Sequence, residues 1–147
     1  MPATELGPSV YMLSLDIPRD EAYELQCDGH LTKLGCSIRP MARCRQHLRN
    51  VARALNIRVV ELDDLCVTVT TFDGYEPHES YLWDQWREQN ASRIAYKLGL
   101  PCATEWFAWR GVVVADMLNL MTEREELNLQ HWELETYGQQ SIRLVPA

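Results

Sequence analysis

The sequence predicts a single α+β domain in which a small, mainly antiparallel sheet packs against three to four helices. A chain of 147 residues is the right length for one domain of ordinary size. Apolar residues make up 46% of the chain and charged residues 24%, a balance typical of globular rather than disordered proteins. Apolar side chains alternate in some segments and recur every three or four residues in others, which are the periods of strands and helices. We therefore expect residues 1–147 to form one globular domain, with residues 1–8 as a flexible N-terminal tail.

Most of the predicted strands lie in the first half of the chain. The first of them alternates cleanly, with Tyr11, Leu13 and Leu15 on one face. The Asp28–Gly29 pair suits a tight turn and predicts a hairpin between the segments on either side of it. Later segments are rich in β-branched residues. The predicted strands and hairpin arms are residues 9–15, 21–26, 31–34, 57–60 and 65–72, with a final strand at 142–145.

One amphipathic helix is predicted in the first half of the chain, over residues 40–55. Pro40 suits a first helical turn. The apolar residues then fall three or four positions apart, which places them on one side of a helix. They are Met41, Cys44, Leu48, Val51 and Leu55.

The second half of the chain predicts further helices. Residues 76–98 have helical spacing and are followed by Gly99, a residue that commonly ends helices. Residues 104–121 are ambiguous, because the run 112–114 suits a strand, but the segment as a whole favours a helix. Thr122 and Glu125 match a capping box and predict a last short helix to about residue 135.

Basic residues are concentrated in one part of the chain. The net charge is −7, yet residues 29–60 contain seven basic residues and neither Asp nor Glu. Four arginines lie on the polar side of the predicted helix 40–55. Such a surface can contact phosphates or an acidic partner, or it can be a solvated face whose charges pair with acids of the same fold or of a dimer mate. The four candidate contact residues are Arg43, Arg45, Arg49 and Arg53.

Two Cys–His pairs form a candidate zinc site. Cys27 and His30 flank the predicted turn, and Cys44 and His47 lie one helical turn apart. Zinc prefers four thiolate or imidazole ligands in a tetrahedron, so the pairs can share one ion if the helix folds back on the hairpin. The alternative is that Cys44 is part of the apolar face of its helix and both histidines are ordinary surface residues. No other cofactor is expected.

Residues 23–50 resemble the ββα zinc finger in the order of their elements and in the distance between the two pairs. That family has two cysteines in the turn and two histidines in the helix, whereas each pair here has one of each. The resemblance implies a zinc site at Cys27, His30, Cys44 and His47 only, and we do not carry over the family's reading of DNA.

Aromatic and acidic residues occur together in residues 75–88. Tyr and Trp side chains anchor many protein interfaces, and an exposed set among carboxylates would make an acidic binding surface. The alternative is that these aromatic side chains are buried in the core. The candidate partner-binding residues are Tyr75, Glu76, Glu79, Tyr81, Trp83, Asp84 and Trp86.

The cellular setting suggested by the sequence is the cytoplasm. No apolar stretch is long enough to cross a bilayer, and the first residues lack the basic start and apolar run of a secretion signal. Five cysteines in such a chain are expected to be reduced thiols. A membrane partner is therefore not expected.

Recognisable catalytic motifs are missing from the sequence, which favours a binding function. It has no phosphate-binding glycine loop, no Gly-x-Ser-x-Gly elbow and no His-Glu-x-x-His motif. Our first hypothesis is a non-enzymatic acidic binding protein that inhibits or regulates a protein partner, as immunity-type and phage-type regulators do. A zinc-stabilised regulator that binds nucleic acid through helix 40–55 is the alternative. A small enzyme with a cysteine nucleophile is the third hypothesis, with no catalytic residue assigned.

Overall fold

The computed structural model describes residues 8–73, 76–125, 128–138 and 141–147. These residues form a six-stranded sheet in which every pair of neighbouring strands is antiparallel. The predicted α+β class and mainly antiparallel sheet are therefore confirmed. Apart from Pro8, the predicted N-terminal tail lies outside the described residues.

One long central strand organises the sheet. The strands are β1 (Ser9–Asp16), β2 (His30–Ser37), β3 (Thr68–Asp73), β4 (Trp106–Phe107), β5 (Leu129–Tyr137) and β6 (Ser141–Pro146). Their order across the sheet is β4-β2-β1-β3-β5-β6. Strand β1 pairs with β2 on one side and with β3 on the other, so that Leu13 lies opposite both Lys33 and Val69. The strands predicted near residues 9–15 and 142–145 are confirmed.

Helices cover both faces of this sheet. The α-helices are α1 (Arg19–Glu24), α2 (Pro40–Ala54), α3 (Glu76–Gln85), α4 (Ser92–Leu98) and α5 (Gly111–Glu125), and three 3-10 turns span Val59–Leu65, Arg87–Gln89 and Ala103–Glu105. Tyr11, Leu13 and Leu15 share one face of β1, as their alternation predicts, and belong to the same core as the apolar side of α2. Val10 and Met12 point to the opposite core, to which α3 and α5 contribute. Strand β1 is consequently buried on both faces.

The predicted hairpin around Asp28–Gly29 is wrong. Residues 19–24 form the short helix α1, and β2 pairs with β1 instead of with the segment that precedes it. The local turn signal is outweighed because β1 offers β2 an eight-residue ladder between two apolar cores. The predicted strand at 57–60 is also wrong. There Arg58 donates its backbone N–H to Glu61 Oε2 at 2.6 Å and opens a 3-10 turn.

The helix predicted over residues 76–98 is interrupted by contacts with β4. The Ala91 N–H donates to the Trp106 carbonyl, and Asn90 forms a bridge with Phe107. These long-range hydrogen bonds remove residues 90–91 from the helical ladder, so α3 and α4 are separate. The predicted stop at Gly99 is confirmed, since this residue has a φ of +80° at the end of α4.

The last third of the chain departs from the predicted series of helices. Residues 106–107 form β4 before α5 begins at Gly111. Helix α5 continues through residues 122–125 instead of giving way to a new helix there, and residues 129–137 form β5. The alternation of buried and exposed residues around Trp132 explains why residues 129–137 form a strand instead of the predicted helix. Among the described helices, none is both long enough and apolar enough to span a membrane.

Candidate functional site

Helix α2 separates an apolar face from an arginine-rich face. Its buried residues include Met41, Cys44 and Leu48, which pack against the sheet. The opposite side carries arginines at every fourth position, namely Arg45, Arg49 and Arg53, which we call the arginine row. Residues spaced by four lie on one stripe of a helix, about 6 Å apart along its axis. Arg49 and Arg53 are exposed and Arg45 is half-buried, so the row faces solvent.

The arginine row has no ion-pair partner among the described residues. The ion pairs there join His30 to Asp16, Lys33 to Glu105, Arg58 to Glu61, Arg87 to Asp84 and Arg143 to Glu135. Like charges four residues apart on a helix repel each other by about 0.2–0.5 kcal/mol per pair. The row therefore lowers the stability of the fold slightly.

A buried polar network lies between α2 and the sheet. The Tyr11 hydroxyl and Nε2 of His47 are hydrogen-bonded at 2.9 Å. Lys33 is completely buried, and its Nζ donates to Glu105 Oε1 at 2.7 Å and to the Leu34 carbonyl at 3.0 Å. The Lys33 ammonium also lies 5.6 Å from the centre of the Tyr11 ring. These contacts connect β1, β2, α2 and the 3-10 turn before β4.

Burial keeps the side chains of Tyr11, Cys44 and His47 in their neutral forms at neutral pH. Burial, together with the nearby charges of Lys33 and Arg43, lowers the pKa of His47 to about 3. Burial raises the pKa of the Cys44 thiol to about 12 and that of the Tyr11 hydroxyl above its ordinary value. A network of this kind fixes the position of α2 relative to the sheet. It thereby presents the arginine row on a rigid support.

Sequence reasoning missed the burial of Lys33, which it counted with the other basic residues. The available signal was the alternation in β2, where Leu31, Lys33 and Gly35 share one face. Gly35 also has a specific role in the network. It lies opposite Tyr11, and an added Cβ would come within 2.3 Å of Tyr11 Cζ and Oη.

Substituting Gly35 with alanine tests this packing. We expect Gly35→Ala to lower the free energy of unfolding by about 2 kcal/mol, within the range for overpacked cores. Tyr11 is buried and bonded to His47, so its ring has little freedom to move aside. Urea unfolding measures the loss. If Tyr11 is the obstacle, Gly35→Ala should be much less harmful in a Tyr11→Leu background, and equal losses in both backgrounds would refute this explanation.

The structure separates the two Cys–His pairs. His30 begins β2 and its Nδ1 is 2.7 Å from Asp16 Oδ1, whereas His47 lies beneath α2 beside Tyr11. Asp16 and Tyr11 are five residues apart on β1, roughly 17 Å along a strand. No group of three or more His, Cys, Asp or Glu side chains in the described parts of the chain is arranged to hold a metal ion. The zinc hypothesis therefore has no support in the geometry.

The candidate aromatic surface is partly buried. Trp86 is 3% exposed, and its ring packs edge-on against Phe107 with centroids 5.6 Å apart. Trp83 is half-buried beside the same phenylalanine, while Tyr81 is 48% exposed. These positions leave Tyr81 as the most exposed of the three aromatic residues.

The acidic members of that candidate surface are only partly available. Glu79 is half-buried, and Asp84 accepts a hydrogen bond from Arg87 at 3.0 Å. Tyr75 lies outside the described residues, and the side chain of Glu76 is not among those described. The surface consequently offers less free charge and aromatic area than the sequence suggests.

Comparison with protein-family models, with curated proteins and with solved structures found no match to this chain.

Proposed function

We propose that the protein binds an acidic protein partner through the arginine row of α2 and thereby inhibits or regulates it. The observation that carries this proposal is a stripe of arginines that has no carboxylate partner among the described residues, on a chain that has 21 acidic and 14 basic residues. Carboxylates are abundant in the sequence, yet none of those described pairs with Arg45, Arg49 or Arg53. A partner that supplies carboxylates would turn the repulsion within the row into attraction.

The contacts between α2 and the sheet favour binding through the arginine row. The helix has 15 residues, so it presents a face about 22 Å long. The Tyr11–His47 hydrogen bond and the packing of its apolar side hold it against the sheet before any partner arrives. A preformed surface loses less conformational entropy on binding than a mobile one. The planar guanidinium of arginine also matches a carboxylate with two parallel hydrogen bonds.

A protein partner fits this surface better than a nucleic acid. Residues 29–60 contain no Tyr, Phe or Trp on which a base could stack. The rest of the chain is strongly acidic and repels a polyanion. Exposed apolar side chains flank α2 in the sequence, at Ile38 (68% exposed) before the helix and at Val60 (40% exposed) in the 3-10 turn that follows it. Apolar contacts of this kind are typical of protein interfaces.

The first experiment compares two variants with the same change in charge. One replaces Arg45, Arg49 and Arg53 with glutamine, and its control replaces three exposed basic residues elsewhere, Arg93, Lys97 and Arg110. Wild type and both variants are immobilised and exposed to a lysate of cells that produce the protein, with and without nuclease treatment. We expect wild type and control to retain an acidic protein that the arginine-row variant releases, with an affinity at least about tenfold weaker, or 1.4 kcal/mol.

The outcomes of this comparison separate the alternatives. Equal capture by both variants would exclude the arginine row as the binding surface. Capture that disappears after nuclease treatment would favour nucleic acid as the partner. Thermal unfolding shows whether the variant is folded, and we expect it to be at least as stable as wild type because the substitution removes repulsion along α2.

A further inference from the structure

We draw no further inference here: the strongest candidate, the apolar surface of α5 that carries Val112 (63% exposed) and Leu120 (64% exposed), has the character of a docking face, but nothing in the structure shows what covers it.

Discussion

Replacing Glu105 with glutamine should lower the free energy of unfolding by about 3 kcal/mol, the lower part of the range for breaking a buried ion pair. Glutamine keeps nearly the same shape but removes the negative charge that faces the Lys33 ammonium at 2.7 Å. Lys33 is 0% exposed, so its charge would remain buried with neutral oxygens only. The lower part of the range applies because the Glu105 side chain is 37% exposed. Urea unfolding at neutral pH measures the change.

Three controls define the origin of this loss. Glu133→Gln removes a carboxylate from an exposed position in β5 and should change stability by less than about 0.5 kcal/mol. Lys33→Met replaces the buried cation with an apolar chain of similar length and should cost less than Glu105→Gln. In the Lys33→Met background, Glu105→Gln should have little further effect. A full loss in that background would show that Glu105 stabilises the fold by some route other than Lys33.

The sequence predicted elements whose signals are local. The apolar spacing of α2 and the alternation of β1 are each contained within one segment, and both elements are present as expected. The hairpin at Asp28–Gly29 failed because a two-residue turn signal competes with the complete β1–β2 ladder. The break between α3 and α4 depends on Ala91 bonding to Trp106, a residue distant in sequence. No local pattern contains that contact.

The candidate sites also differ in whether their signal is local in the sequence or depends on contacts between distant residues. The arginine row could be read from its four-residue spacing, because a helix face is a local property. The burial of Lys33 could not be inferred from charge, since it depends on which strands flank β2 and on Glu105, 72 residues away. Likewise, the sequence singled out His30 but not its partner Asp16, because the carboxylate reaches the imidazole only through the pairing of β1 with β2.

Acid should destabilise the protein through His47. The free energy of unfolding should fall by about 1.4 kcal/mol per pH unit over part of the range below about pH 6.5. The ordinary pKa of histidine is about 6.5 in an unfolded chain, whereas burial beside Lys33 and Arg43 lowers it to about 3 in the folded protein. Between these values the unfolded state binds a proton that the folded state does not. The contribution of neutral His47 is therefore complete above about pH 6.5 and is lost as the pH falls towards 3. Over that window it amounts to roughly 4 kcal/mol.

Replacing His47 with glutamine, which does not titrate, isolates the contribution of His47 to the pH dependence of stability. Urea unfolding of wild type and His47→Gln gives the difference between their free energies of unfolding at each pH. Measurements between about pH 7.5 and about pH 4 cover roughly two pH units of this window. Groups common to both proteins, including His30 and His131, cancel in that difference. Glutamine lacks the titration but can still hydrogen-bond to Tyr11, so the advantage of wild type should shrink steadily as the pH falls. An advantage that stays constant across the range would mean that His47 becomes protonated in the folded state, and that the space between α2 and the sheet admits water or a counter-charge.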